Sequence, residues 1–153
     1  VVSARRELTA PPRSALKLAA TDLFGAFFDT TYAFRFGPPS HDVTVARLVA
    51  ADTGMLIAEA HHFPVGRDKA MHDAAITAIV EEEEGQWFLQ LSTAALAQSV
   101  HIEAEGFRPD DDWFHLAPGP ERRIDLRPRE ATSAGTRPTG TITQLGARRR
   151  ISF

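Results

Sequence analysis

The chain has 153 residues, of which 43% are hydrophobic and 24% are charged, and its formal net charge at pH 7 is −3. This composition is typical of a folded globular domain and gives no electrostatic reason to expect nucleic acid or an anionic membrane as a partner. The absence of cysteine excludes disulfide bonds and thiolate metal sites and leaves the redox compartment undecided. No apolar run approaches the roughly 20 residues of a membrane-spanning helix.

The first six residues, VVSARR, contain neither an initiator methionine nor a signal peptide. They predict that the chain is a segment of a longer protein. Alternation of apolar and polar residues then dominates the sequence: Val100, Ile102 and Ala104, for example, alternate with His101 and Glu103. This period of two predicts β-strands with one solvent-exposed face.

Twelve strands are predicted in chain order, and signals for helices are poor. They lie at residues 6–10, 15–19, 31–36, 43–50, 56–63, 74–82, 86–92, 99–106, 113–116, 122–126, 140–145 and 149–153. Turn residues punctuate the chain about every 8–12 residues, which is typical of β-sandwiches. We therefore predict an all-β fold made of antiparallel, immunoglobulin-like β-sandwiches.

A polar stretch at residues 66–73 divides the predicted strands into two groups. Residues 67–153 contain roughly seven strands, which is enough for a complete immunoglobulin-like sandwich. Residues 1–66 contain roughly five, fewer than a freestanding sandwich of this type has. We predict that the first segment is the end of a preceding sandwich whose other strands lie upstream.

Two acidic runs are the most visible candidates for chemistry. Residues 81–84 are four consecutive glutamates before Gly85, whereas a glycosidase needs two carboxyl groups about 5–10 Å apart across a cleft. We interpret this run as the solvated end of a hairpin. Residues 110–112 are three consecutive aspartates without the spacing of a calcium-binding loop, and we interpret them as a polar loop cap before Trp113.

Neither the histidines nor the serines form a recognisable reactive motif. The six histidines are His41, His61, His62, His72, His101 and His115. None of them has the spacing of a zinc site, and His61 and His62 should point to opposite faces of a strand. The contiguous residues Ser40, His41 and Asp42 cannot stack into a catalytic relay. We predict no catalytic residue, no metal site and no cofactor in this chain.

Three aromatic residues are candidates for stacking against a sugar ring. Trp87 alternates with Leu89 and Leu91, which predicts that its side chain points into the core. Trp113 follows a polar loop and Phe107 precedes it in the same region. Because an indole presents a large apolar face with a polar edge, we take Trp113 and Phe107 as candidate ligand-binding residues.

Residues 100–106 and 110–124 form a strand, an acidic loop with aromatic residues, a Pro-Gly turn and a basic-apolar strand. This order resembles the C-terminal end of glycoside hydrolase family 2 β-mannosidases, in which a loop of the type SDN-aromatic-F precedes LLPGE. The run DWFHLAPG at residues 112–119 is its most distinctive part. Residues 46–60 resemble the closing hairpin of the preceding sandwich in those enzymes, and residues 140–145 resemble their final strands.

This resemblance implies an accessory region of a larger retaining exo-glycosidase that hydrolyses terminal β-mannosides. The family's catalytic glutamates lie on an α/β barrel of roughly 250 residues, so no residue of this chain matches them. The implied partners are the upstream barrel and sandwich domains of the same polypeptide, with mannan oligosaccharides as candidate ligands. A bacterial parent enzyme in the cytoplasm or periplasm is favoured over a membrane-bound one. The chain departs from the family pattern at Asp112, where Asn is common, and at Ala117, where Leu is usual.

Two other functions remain open. The first is a carbohydrate-binding module, for which Trp113, Phe107 and the neighbouring aspartates argue. The second is a free-standing sandwich that binds other proteins, for which only the predicted fold argues.

Overall fold

The computed structural model describes residues 2–31, 37–133 and 135–153, and these residues divide between two compact units, Val1–Ala70 and Met71–Phe153. The division falls in the long loop between the second and third strands, the same loop in which the sequence analysis places its boundary after residue 66. All strands of the described residues pair antiparallel, and helix is limited to one short segment, which confirms the predicted all-β class. No helix among the described residues is long and apolar enough to span a bilayer.

The described residues of the N-terminal unit contain one short helix and one hairpin. The helix α1 is Ala20–Phe24, and the strands β1, Thr44–Val49, and β2, Leu56–His62, pair antiparallel. Both strands were predicted from sequence, and the turn between them ends at Gly54, whose φ of +72° favours glycine. The predicted strand 31–36 lies outside the described residues after its first position.

Two predicted strands of the N-terminal unit, residues 6–10 and 15–19, are wrong. Both segments are exposed and lack regular structure. Apolar and polar residues alternate locally in these segments, but a strand is stabilised only when a neighbouring strand forms hydrogen bonds with it. The segments also flank Pro11 and Pro12, which have no N–H to donate to such a neighbour. The helix α1 was not predicted either; it is only one turn long and ends at Gly25, which adopts a left-handed conformation with φ +64°.

The C-terminal unit consists of eight strands in two four-stranded antiparallel sheets. In chain order they are β3 Ile76–Glu83, β4 Gln86–Thr93, β5 Ala97–Ala104, β6 Phe107–Pro109, β7 Phe114–Leu116, β8 Arg122–Pro128, β9 Gly140–Leu145 and β10 Ile151–Ser152. One sheet has the order β3-β4-β8-β6, and the other has the order β10-β9-β5-β7. Strand β6 is the one element here that sequence analysis missed, because its three residues are too short for a periodic signal.

A single hydrophobic core takes side chains from both sheets, as in a β-sandwich. Leu89 on β4 and Ile142 on β9 are both fully buried, and Trp87 packs against this cluster as predicted. Burial of each large apolar side chain stabilises the fold by about 1.5–3 kcal/mol. The buried Gln144 donates from Nε2 to the Ala74 carbonyl at 2.5 Å, which ties β9 to the segment before β3.

The acidic run at residues 81–84 lies at the end of the β3–β4 hairpin. Glu83 pairs with Gln86, so Glu84 and Gly85 form the two-residue turn, with φ of +51° and +81°. Two positive φ values are the requirement of a type I′ turn, which matches the twist of the flanking strands. All four glutamates are exposed, which confirms the interpretation of this run as a solvated hairpin end.

Strand β5 contains a β-bulge at Ser99. Ala97 pairs with Leu116 and Val100 pairs with Phe114, so β5 has one residue more than β7 between the two pairs. Ser99 has a φ of +49°, and its N–H donates to His115 Nδ1 at 3.0 Å. The bulge therefore shifts the side-chain alternation of β5 by one residue.

Candidate functional site

Trp113 lies in the loop between β6 and β7 and is 64% exposed. Its φ of +60° is in the left-handed region, which bulky side chains rarely adopt. Asp112 holds this backbone in place, because its Oδ1 accepts hydrogen bonds from the N–H groups of Trp113 and Ile102, both at 3.0 Å. The aspartate thus fixes the loop to strand β5.

The indole of Trp113 stacks on the imidazole of His101. The two ring centroids are 4.3 Å apart and the ring planes differ by 12°. His101 is in turn held through its Nδ1 by Asp112 Oδ2 at 2.8 Å. We call His101, Asp112 and Trp113 the stacked triad. In it, Asp112 holds two stacked rings on the surface of the C-terminal unit.

A groove of about 840 Å³ is lined by two members of the stacked triad, His101 and Asp112. Two flexible, oppositely charged side chains lie in it: Glu103 on β5 and Arg150 before β10, with Nη1 and Oε2 3.7 Å apart. The hydroxyl of Thr141 donates to the same Glu103 oxygen at 3.3 Å. The groove therefore places a cationic hydrogen-bond donor next to an anionic acceptor and a hydroxyl group.

The three aspartates of residues 110–112 have structural contacts. Asp110 Oδ1 accepts from the Asp125 N–H at 2.9 Å, which joins the loop to β8. Asp111 pairs with the guanidinium of Arg122, whose carbon lies 4.1 Å from the centre of the Phe114 ring. Together with Asp112, these contacts agree with the interpretation of the run as a polar loop cap. Among the described residues, no three acidic or histidine side chains converge as metal ligands would.

Phe107 does not present its ring to a ligand. It is 2% exposed and belongs to the hydrophobic core, where it packs with residues of both sheets. The prediction that Phe107 binds a ligand by ring stacking is therefore corrected. The side chain points inward because β6 pairs with β8, and the pattern of a three-residue strand could not show which face is buried.

Three histidines of the N-terminal unit, His41, His61 and His62, have contacts within that unit. His61 lies 3.4 Å from Glu59, and His62 Nε2 contacts the Thr31 carbonyl oxygen at 3.2 Å. The His41 ring is held by two hydroxyls, those of Ser40 at 2.9 Å and Thr44 at 3.2 Å. The Ser40–His41 contact thus belongs to a local arrangement at the entry to β1.

Arg123 covers the outer face of the sheet that contains β4 and β8. Its guanidinium carbon lies 3.8 Å from the centre of the Phe88 ring, and it pairs with Glu83 at 2.6 Å and Asp125 at 2.8 Å. These hydrogen bonds, first to Glu83 and then to Asp125, raise the pKa of Arg123 above its ordinary value. Phe88 is buried on this outer face because the guanidinium covers it.

A comparison with known protein families gives a match that starts where the C-terminal unit starts. The family Ig_mannosidase, described as an Ig-fold domain, matches residues 71–147, just over half of the chain. The chain belongs to this family. The match begins at the first residue of the C-terminal unit and extends through β9, and it confirms an immunoglobulin-like domain of the mannosidase type. Among curated proteins, no significant match is found.

Proposed function

We propose that this chain is an accessory, non-catalytic region of a β-mannosidase-like retaining glycoside hydrolase, whose parent enzyme hydrolyses terminal β-mannosides. The observation that carries the proposal is the Ig_mannosidase match across the C-terminal sandwich. The run DWFHLAPG at residues 112–119, which resembles the end of family 2 β-mannosidases, supports the finer assignment. The partners in this proposal are the catalytic barrel and sandwich domains of the same polypeptide.

The contacts of the acidic side chains support a non-catalytic role. A retaining glycosidase needs two carboxyl groups about 5–5.5 Å apart, one of them held protonated by a dry environment. In the C-terminal unit, Asp112 accepts two backbone hydrogen bonds, Asp111 pairs with Arg122, and Glu83 pairs with Arg123. Contacts of this kind engage a carboxylate in the fold.

The N-terminal hairpin supports the proposal that residues 1–66 end a preceding sandwich. Leu56 and Ile57 lie at the start of β2, beside an irregularity in its pairing with β1, and both are exposed. Met55 and Leu48 add exposed apolar surface to the same hairpin. Since an isolated two-stranded hairpin is marginally stable in water, we propose that further strands of the parent enzyme cover this apolar surface.

Hydrolysis of a chromogenic β-mannoside by the 153-residue chain tests the non-catalytic role. We expect no turnover above that of buffer. Turnover that is abolished by a glutamate-to-glutamine substitution in this chain would contradict the proposal. The coding sequence upstream of Val1 tests the parent enzyme: we expect it to encode a barrel of alternating strands and helices, and an upstream region without one would refute the assignment.

A further inference from the structure

Strand β3 lies at the edge of its sheet and pairs on one side only, with β4. Over its eight residues, Ile76–Glu83, this pairing has no bulge and no shift of register. The other strands that end a sheet of the C-terminal unit are shorter: β6 and β7 have three residues each, and β10 has two. Among the described residues of this unit, the free side of β3, which we call the open edge, is therefore the longest place where a further strand could pair.

The turn that follows β3 determines which backbone groups face the open edge. Glu83 and Gln86 flank a two-residue turn, so they form a hydrogen-bonded pair. Hydrogen bonding to β4 then recurs at every second residue back along β3, through Ile79. The N–H and C=O groups of the intervening residues point to the open edge; these residues are Ile76, Ala78, Val80 and Glu82. None of them is a proline, so each offers both a donor and an acceptor to a further strand.

Ile79 gives the open edge an apolar centre. Its side chain points to the outer face of the sheet, because Ala78 and Val80 on either side of it pack against the core. It is 49% exposed. Charged side chains commonly protect a strand edge from pairing, but in β3 they begin only at Glu81. The half of the strand before Glu81 is therefore uncharged and suited to pairing.

We propose that β3 pairs antiparallel with β3 of a second copy of this chain, about a two-fold axis at Ile79. In this register the two Ile79 residues form a non-hydrogen-bonded pair, in which opposed side chains approach most closely and cover each other. Ala78 lies opposite Val80 of the second copy, and their outward backbone groups exchange hydrogen bonds. Ile76 and Glu82 form the next hydrogen-bonded pair. All four residues that face the open edge thus have backbone partners.

The charges of β3 favour this antiparallel arrangement. Glu81 lies opposite Thr77 of the second copy, whose hydroxyl can donate to the carboxylate. The two Glu81 residues are separated along the strands by about 13 Å, which exceeds the screening length of about 8 Å at physiological ionic strength. A parallel pair would instead place the two glutamate runs at residues 81–84 side by side, at a strand spacing of about 4.8 Å.

A second copy also limits the size of the assembly. In a two-fold pair each β3 uses its open edge on the other, so the contact closes at two chains. The remaining edges of the C-terminal unit, with two or three residues each, offer few backbone groups for a third chain. We therefore expect a dimer and no larger species.

Sedimentation equilibrium of the 153-residue chain tests the proposal. We expect a monomer–dimer equilibrium with a Kd of about 0.1 mM or tighter. Ile79→Lys places two like charges opposite each other at the axis and should weaken dimerisation about tenfold or more. The matched control is Leu145→Lys, because Leu145 is 44% exposed but lies on β9 in the other sheet. We expect this control to dimerise as the native chain does.

A mixture of two variants tests the position of the axis. Ile79→Glu alone should dimerise as weakly as Ile79→Lys, whereas an equimolar mixture of the two should regain the dimer through opposite charges. Both substitutions lie on the outer face, and we expect both variants to remain folded by circular dichroism. If neither folds, Glu82→Pro decides the question, because it removes an N–H of the open edge and leaves the bonds to β4 in place.

Three results would each overturn the proposal. The first is a native chain that stays monomeric at about 1 mM. The second is an equal effect of Ile79→Lys and Leu145→Lys, and the third is a mixture of the two Ile79 variants that does not dimerise. A monomeric chain would leave the open edge to a strand of another domain. The Ig_mannosidase assignment and the accessory role do not depend on the outcome.

Discussion

In the C-terminal unit Leu89 and Leu91 have no accessible surface, whereas in the N-terminal unit Leu56 and Ile57 are 44% and 58% exposed. All four residues lie in strands with similar apolar content. The difference lies in the number of layers: two four-stranded sheets enclose a core in the C-terminal unit, while the described residues of the N-terminal unit form a two-stranded sheet. Similar apolar sequences thus form strands in both units, but their large apolar side chains are fully buried only where a second sheet packs against them.

The largest expected effect comes from a pair of leucine-to-alanine substitutions, one in each unit, which tests this difference directly. Leu89→Ala removes a fully buried side chain and should lower the free energy of unfolding by about 2–5 kcal/mol. Leu56→Ala, in the exposed hairpin, should change it by less than about 0.5 kcal/mol. Urea denaturation followed by circular dichroism measures both. A loss of similar size for the two variants would show that the hairpin is packed in solution.

A second matched pair uses glycines. A Cβ on Gly140 would lie 2.0 Å from the Glu103 carbonyl oxygen and 2.7 Å from the Phe153 ring, whereas a Cβ on Gly37 meets nothing within 4 Å. We expect Gly140→Ala to destabilise the C-terminal unit by about 1–3 kcal/mol through overpacking. Gly37→Ala should have little effect on thermal unfolding. Equal melting temperatures for the two variants would contradict the close approach of β9 to β5.

The buried hydrogen bond of Gln144 has an expected effect of the same order. Gln144→Ala leaves the Ala74 carbonyl without its side-chain donor and should cost about 1–3 kcal/mol. The matched control is Gln90→Ala, because the side chain of Gln90 bonds to Glu121 on the exposed surface. Amide exchange measured by NMR should rise around Ala74 in the first variant. Unchanged exchange there would mean that the bond does not tie β9 to this segment.

The smallest expected effect concerns the outer face of the C-terminal sandwich. Arg123→Ala uncovers the Phe88 ring and removes two exposed ion pairs, and it should destabilise by about 1 kcal/mol or less. Arg127→Ala, exposed on the same strand, is the control. Because the pKa of Arg123 is raised, the stabilisation from its positive charge is fully present below the ordinary arginine pKa. That stabilisation is lost only as the pH rises through the raised pKa. Equal destabilisation by Arg123→Ala and Arg127→Ala at neutral pH would contradict a role of the guanidinium in covering Phe88.

Most strands of the C-terminal unit could be predicted because each of them has one face in the core. Trp87 alternates with Leu89 and Leu91, so both the strand and the buried face followed from the sequence. Residues 6–10 alternate in the same way but have no partner strand, and pairing is a property of the whole fold. Local pattern therefore predicted strands correctly only where the tertiary structure supplies a neighbour.

The candidate site could be predicted only in part. The position of Trp113 after a polar loop correctly indicated an exposed ring. Its stacking on His101 could not be foreseen, because the two residues are brought together by Asp112, which reaches from the loop to β5. Phe107 was misplaced, since the inward direction of its side chain depends on pairing with β8 rather than on its neighbours in sequence.

The extra residue at Ser99 lets two parts of β5 face the same core. Ala97 and Val100 are three positions apart, which would place them on opposite faces of a regular strand, and the unpaired Ser99 brings both side chains to the core. Deleting Ser99 would leave Ala97 and Val100 two positions apart in a regular strand and would preserve both inward side chains. Deleting Ile102, by contrast, would carry Glu103 to the core face and take the following pairs with β9 out of register. A one-residue deletion should therefore be tolerated at Ser99 and not farther along the strand.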